Sequence, residues 1–254
     1  MRVIALQSGS NGNSIYVEAD GVRLLFDAGI SGKRAQMRLD ARGRDIRGAE
    51  ALIISHDHAD HVSCAGIYQR KFGLPILATA GTLKAALKYP LGRIERVRHF
   101  RAGGTIRFGG VVVETVPTPH DGADGVGFVV DDGRRRLGIL TDLGPVFRGL
   151  EDVVRSLDAV LIESNYDPDM LEAGPYPTWL KQRIRGPRGH ISNVEAAELL
   201  AAAAGKRMRW ACLAHLSEKN NHPRVALHTH RKILGKGLPL RAASRYEATD
   251  IMEV

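Results

Sequence analysis

His56-Asp57-His58-Ala59-Asp60-His61 places three imidazoles and two carboxylates in six consecutive residues, directly after the apolar run ALIIS (51–55). Neutral imidazole and carboxylate are borderline-to-hard ligands suited to zinc, iron or manganese. His-x-His spacing lets two rings reach one cation, and the Asp-His pair that follows can reach a second. A solvated polar turn would carry such residues singly. Four ligand-type residues converging after a buried strand favour a metal, and scaffolds place reactive groups on the loops that follow strands.

A second concentration of chemistry lies in RGPRGHISN (185–193). Ser192 and Glu195 have capping-box spacing, which opens a helix over 193–204. Helix N-termini attract phosphate through unpaired N–H groups and the macrodipole. Ser192 and Asn193 are therefore candidate phosphate holders. His190, just before them, can protonate a leaving alkoxide. The stretch 173–194 holds Lys181, Arg183, Arg185 and Arg188 and no acid. That suits a phosphodiester track, with the three arginines as contacts. Residues 219–246 carry seven Lys or Arg, three His and no acid. They form either a second nucleic-acid surface or a solvated basic face.

Positioning these groups needs a scaffold, and its elements can be read in order. β-type runs fall at 3–6, 14–19 and 22–29, with Asp20-Gly21 as a hairpin signal between the last two. Helix 31–41, strand 51–55, a helix after His61, strand 75–79 and helix 80–89 follow. The middle is β-rich, at 94–99, 105–108, 111–117, 126–132 and 135–142. Helix 146–155, strand 159–164, helix 193–204, strand 209–216, helix 223–234 and strand 238–243 complete the order. Periodicity alone supports α/β or α+β. Two β-rich halves flanked by helices suggest a four-layer αββα sandwich with its sheets face to face.

The chain has 254 residues, 44% hydrophobic and 25% charged, a mix that excludes disorder, collagen and disulfide scaffolds. One domain over 1–254 is expected. Net charge of +8 fits a polyanionic partner. Two cysteines, Cys64 and Cys212, are too few for a disulfide framework. The start MRVIALQSGSNG lacks the long apolar region of an export signal. No window approaches a membrane span. The expectation is a cytoplasmic protein with no membrane partner.

HDHADH matches the His-x-His-x-Asp-His signature of the metallo-β-lactamase superfamily, which the chain resembles along its length. Asp27 closes VRLLFD, His120 ends VETVPTPH, Asp142 lies in GILTDLG and His215 in CLAHLS, in the superfamily's order. SGSNGNSIY, TPHDGADGVGFVV, ESNYDPDML, GPYPTWLKQRIRGPRGHISN and LAHLSEKNNHP narrow the resemblance to the YycJ/WalJ-type branch. The resemblance implies the αββα fold and two divalent cations, zinc first, with manganese or iron as alternatives. It gives one cation His56, His58, His120 and Asp142, and the other Asp60, His61, Asp142 and His215. Asp27 and Ser55 would fix ligand geometry. Asp60, Asp142 and His190 would carry the chemistry. The implied activity is that of a metal-dependent nuclease, a 5′→3′ DNA exonuclease. Two other classes compete. A small-molecule metallohydrolase, such as a thioesterase or lactonase, keeps the metals but has no use for the basic track. A non-catalytic scaffold is disfavoured by the intact ligand set.

Overall fold

The structure, a computed structural model, describes all of residues 1–254. β1 (Arg2–Gln7), β2 (Ser14–Ala19) and β3 (Val22–Phe26) pair antiparallel in turn. Asp20 and Gly21 turn β2 into β3 with φ of 47° and 81°. A two-residue hairpin needs this left-handed pair, and Asp-Gly supplies it with little strain. Beyond β3 the connections become helical and the pairing parallel. α1 (Gly32–Asp40) leads to β4 (Ala51–Ile53), then α2 (Ala59–Val62) and α3 (Ala65–Phe72) to β5 (Ile76–Ala78), and α4 (Ala80–Ala86) to β6 (Val97–His99).

The second half repeats the plan. β7 (Thr105–Phe108), β8 (Val111–Pro117), β9 (Val126–Asp131) and β10 (Arg136–Leu140) pair antiparallel in turn. α5 (Leu150–Arg155) leads to β11 (Ala159–Glu163). α6 (Pro168–Ala173), α7 (Thr178–Ile184) and α8 (Asn193–Ala203) lead to β12 (Trp210–Ala214), and α9 (Pro223–Leu234) leads to β13 (Leu240–Ala242). These last strands lie parallel to β10 and to each other. β14 (Met252–Glu253) returns to pair with β1. Each sheet has seven strands, ordered β14-β1-β2-β3-β4-β5-β6 and β13-β12-β11-β10-β9-β8-β7.

Burial separates three layers of contact. One core of 27 buried residues lies between the sheets, with Val17, Leu24 and Phe26 facing Val113, Phe128 and Leu161. A second, of 21, packs α1, α3 and α4 on the outer face of the first sheet. A third, of 19, packs α5, α8 and α9 on the second. The expected four-layer αββα sandwich is therefore the fold. No helix is long and apolar enough to cross a membrane.

The expected elements fall close to those observed, and 105–108, 111–117 and 223–234 coincide with β7, β8 and α9. The stretch 173–194 differs, since it contains the whole of α7, a helix absent from the expected elements. β14 is a two-residue pairing that no local pattern announces.

Candidate metal centre

The site lies at the carboxyl ends of the strands, where open parallel sheets place ligands. HDHADH follows β4, Asp142 follows β10, and His215 follows β12. To bring these side chains inward the backbone leaves each strand abruptly. Asp27, Asp142 and His215 have φ of 63°, 53° and 53°. Non-glycine residues in the left-handed region are uncommon and cluster at functional sites.

The ligand loop is seated by its own carbonyls. The Asp60 carbonyl accepts from the Asn13 amide at 2.7 Å, and that of His61 from the Ala28 amide at 2.7 Å. A Cβ at Gly29 would stand 1.7 Å from the Asp60 oxygen, so only glycine admits the loop there. Asp57 turns away from the cluster and clamps the loop from behind. It accepts from Lys88 Nζ at 2.6 Å and from the Ala123 amide at 2.7 Å.

The expected ligands converge. Ligand atoms of His56, His58 and His120 lie within 4.8 Å of one another, as do those of His56, His61 and Asp142, and of Asp60, His61 and His215. Asp142 stands between the groups. Its Oδ1 is 3.6 Å from both His120 Nε2 and His215 Nε2, and its Oδ2 is 3.1 Å from His61 Nε2. His56 Nε2 and Asp142 Oδ2 are buried and make no hydrogen bond. Buried polar atoms without partners are rare in native proteins. Here they aim into a nest of nitrogen and oxygen donors, so the residues fit a divalent cation pair.

The electrostatics agree. Burial, then the neighbouring imidazole of His61, holds His56 well below the ordinary histidine value, so it stays neutral. Burial opposes the charge on Asp142, but His215 and His61 outweigh it and keep the carboxylate ionised. Burial likewise opposes protonation of His61, yet Asp142, Asp60 and Asp27 push its pKa well up. Cation binding there must displace a proton.

Asp27 and Ser55 stand behind the ligands. Asp27 Oδ2 is 2.8 Å from His61 Nδ1, and its two oxygens accept from the Ser55 amide (2.8 Å) and hydroxyl (2.9 Å). A carboxylate on one ring nitrogen fixes the tautomer and aims the other nitrogen at the metal. His120 Nδ1 is set in the same way on the Gly189 carbonyl, at 2.8 Å.

Four further groups contribute that the sequence reading passed over. Glu163, fully buried at the end of β11, has Oε1 2.6 Å from His190 Nδ1 and 3.4 Å from His215 Nδ1. Burial works against its charge, but His190 and His215 hold its pKa down at about 2. Asp121 Oδ1 is 3.2 Å from His58 Nε2. Asn13 donates to Asp60 Oδ2 at 3.2 Å, and its Nδ2 is 3.0 Å from His61 Nε2. Asn165 donates to the His215 carbonyl at 2.9 Å. An acid closing an otherwise apolar strand was the one available signal for Glu163.

The expected phosphate holders fare differently. The Ser192 hydroxyl is taken up by the capping box with Glu195. Asn193 has no exposed surface, and its Oδ1 accepts from Ser164 and Asn221. Arg183 pairs with Asp121 at 2.6 Å and Arg185 with Glu172 at 2.7 Å. Arg188 is exposed and forms no ion pair. The structure thus engages the side chains of Ser192 and Asn193 within the protein. It leaves Arg188 as the free cation of the three. His228 and His230 lie on α9, where His230 is buried on the Ala226 carbonyl at 2.9 Å.

Fold and site define the class. A family model described as a β-lactamase superfamily domain matches residues 22–215, and the chain belongs to that superfamily. Within it, the chain is 33% identical over 248 residues to Exodeoxyribonuclease YycJ of Bacillus anthracis, covering 96% of this chain and 94% of the relative. It is 36% identical over 227 residues to Exodeoxyribonuclease WalJ of Streptococcus pneumoniae, covering 87% and 83%. The crystal structure of the metallo-β-lactamase fold protein YhfI from Bacillus subtilis superposes with a TM-score of 0.77. It is 16% identical and covers 100% of this chain and 98% of its own, a likeness of fold.

Proposed function

We propose that this protein is a metal-dependent phosphodiesterase that degrades DNA from an end, in the 5′→3′ direction, in the cytoplasm. His56, His58, His120 and Asp142 would hold one divalent cation, and Asp60, His61, Asp142 and His215 the other. Zinc is the first choice for these nitrogen and oxygen donors, with manganese or iron as alternatives. The observation that carries a phosphodiester substrate is the placement of His190. Its ring rests on Glu163 beside the ligand cluster, next to the basic helix α7. The names of the relatives support DNA and exonucleolytic action.

When bound, the cations supply Lewis-acid stabilisation of phosphate charge and an acidified water. The chain's own residues do the rest. Asp27 and Gly189 fix the tautomers of His61 and His120. Hydrolysis would add a water oxygen to phosphorus, release one proton of that water to solvent and break the P–O bond to the leaving oxygen. His190 delivers the proton that the leaving oxygen takes up. Glu163, bonded to Nδ1, would fix the ring so that Nε2 faces the substrate. Arg188 contacts the strand.

End-labelled single- and double-stranded DNA and RNA, digested with a zinc, manganese and iron series, test the reading. Stepwise shortening of DNA from its 5′ end is the expected result. A metal-loaded protein that cleaves no polynucleotide but hydrolyses thioesters or lactones would overturn it in favour of a small-molecule hydrolase.

A further inference from the structure

The row of carboxyl ends that supplies Asp142, Glu163 and His215 from β10, β11 and β12 continues to β13. Three residues past the end of β13 comes Arg245, followed by Tyr246. Leu213 pairs with Ala242, so with neighbouring strands about 4.8 Å apart the chain at Arg245 and Tyr246 runs beside the segment that follows His215. Across from them the Ser8–Gly12 turn follows β1. A cleft of about 440 Å³ opens here, lined by Ser8, Ser217, His222, Arg245 and Tyr246 among others. It adjoins the metal centre, because Ser8 Oγ accepts the His215 amide hydrogen at 2.9 Å.

The cleft has a fixed frame and uncommitted side chains. The Ser8 amide bonds the Ser244 carbonyl at 3.0 Å, and Asn11 bonds the Arg245 carbonyl at 3.3 Å. Arg38 bonds the Tyr246 carbonyl. Yet the Arg245 side chain is only 12% exposed, and its Nε and Nη1 are buried without a hydrogen-bond partner. Nη2 reaches only Ser10 Oγ, at 3.3 Å. A buried guanidinium has five donors to satisfy and is costly to leave unpaired. The acid nearest it is Glu218, itself half exposed, with Oε2 3.7 Å from Nη1 and Oε1 3.4 Å from the Tyr246 hydroxyl. That carboxylate stands where a phosphate would bridge the same two groups. Tyr246 is 65% exposed, unusual for a ring this size, and the Arg245 guanidinium lies 5.9 Å from its centroid.

Resting on the nuclease reading above, we propose that this cleft is a nucleotide subsite. Arg245 takes a phosphate of the substrate strand, displacing Glu218, and Tyr246 stacks on the base attached to it. Arginine binds phosphate in a planar two-pronged geometry, and an aromatic face accepts any base.

The test measures binding of metal-loaded protein to a fluorescent, cleavage-resistant phosphorothioate DNA strand, with hydroxyl or phosphate at either end. Inorganic phosphate serves as competitor. Arg245→Gln is expected to weaken binding roughly 10- to 150-fold, the range for a lost charged hydrogen bond. Tyr246→Ala is expected to weaken it by about 5- to 150-fold, the worth of one stacked base. Glu218→Gln is expected to tighten it up to about fivefold, which a merely structural role would not do. A wild-type preference for one phosphorylated end, erased by Arg245→Gln, assigns the phosphate as terminal. Equal binding of all four strands assigns it as internal. Metal content and melting temperature of each variant report on folding, and Tyr246, being exposed, provides a variant that keeps its fold. Wild-type DNA cleavage, with both variants binding as tightly as wild type, overturns the subsite alone. Wild-type protein that holds its metals but binds no DNA overturns the nuclease reading as well.

Discussion

His190 Nδ1 stands 2.6 Å from Oε1 of Glu163, a carboxylate with no exposed surface. The other Glu163 oxygen accepts from the Leu143 amide at 3.1 Å, next to Asp142. One buried acid therefore ties β11 to the loop after β10 and holds the ring of His190. With Nδ1 taken, Nε2 is the nitrogen that would serve the proposed proton transfer.

That pair sets the first prediction. His190→Ala should slow DNA cleavage roughly 10²- to 10⁴-fold, the usual range for a positioned acid, while metal content holds. Glu163→Gln should slow it roughly 10- to 150-fold, through loss of a charge-assisted hydrogen bond. A nitrophenyl phosphodiester needs little protonation of its leaving group, so both variants should lose much less on it. Loss of a metal ion from His190→Ala would make His190 a ligand. Equal losses on both substrates would remove it from leaving-group protonation.

Much of this centre was legible in the sequence because its ligands sit at strand ends, and strands are short local patterns. HDHADH after ALIIS stands out by itself, while Asp142 after RRLGIL and His215 after WACLA are singled out by the family resemblance, each behind a run that reads as a strand. Glu163 was not legible as a site residue, because AVLIE reads as one apolar strand. Its role arises only when β10, β11 and β12 lie side by side. The basic track is partly neutralised in the fold for a related reason. An acid-free stretch of sequence is not an acid-free surface, since Arg183 meets Asp121 across 62 residues of chain and Arg185 meets Glu172 across 13. Ser192 showed both sides of the problem. Its spacing to Glu195 correctly announced the capping box, and that same bond uses the hydroxyl a phosphate would have needed.

The pairing of Arg183 with Asp121 gives a second prediction. Asp121→Asn should weaken the ion held by His58 about 10- to 100-fold, the usual effect of removing an outer partner of a ligand histidine. A competitive chelator titration reads this directly. Arg188→Gln should flatten the dependence of log affinity on log salt by about 0.7 for single-stranded DNA, the value of one phosphate contact. Arg183→Gln should leave that slope near wild type, because its charge is already matched. A slope that responds to Arg183 and ignores Arg188 would reverse the assignment.

Asp142 separates the two ligand groups by less than 4 Å on either side, with Oδ1 3.6 Å from His120 and Oδ2 3.1 Å from His61. On the proposed two-cation reading, a carboxylate so placed would bridge. Elemental analysis of reconstituted protein should approach two ions per chain, and Asp142→Ala should lower the occupancy of both. Loss of one ion with the other held at full occupancy would show that Asp142 serves a single cation.

The opposite ends of the same strands are pinned by Asp158, which is buried and remote from the ligands in sequence. Its carboxylate accepts from the Arg136 amide at 2.9 Å, Arg207 at 3.0 Å and Arg135 at 3.2 Å, and its carbonyl accepts from the Arg209 amide at 2.7 Å. β10, β11 and the approach to β12 are joined at this one residue. Burial raises its pKa, but the Arg136 amide, Arg207 and Arg135 outweigh burial and leave it below the ordinary 3.8. A folded value below the unfolded one means the ionised form stabilises the fold. That contribution is complete above the unfolded value and fades as pH falls through the lowered folded one. Asp158→Asn should therefore cost about 1–3 kcal/mol of unfolding free energy at neutral pH, the range for a disrupted buried hydrogen-bond network. Metal content should not change. Urea unfolding across a pH series should show the gap to wild type constant from neutral pH down to about pH 5, then closing in stronger acid. A gap that widens with acid, or that is absent at neutral pH, would show that the charge on Asp158 does not hold these strand ends together.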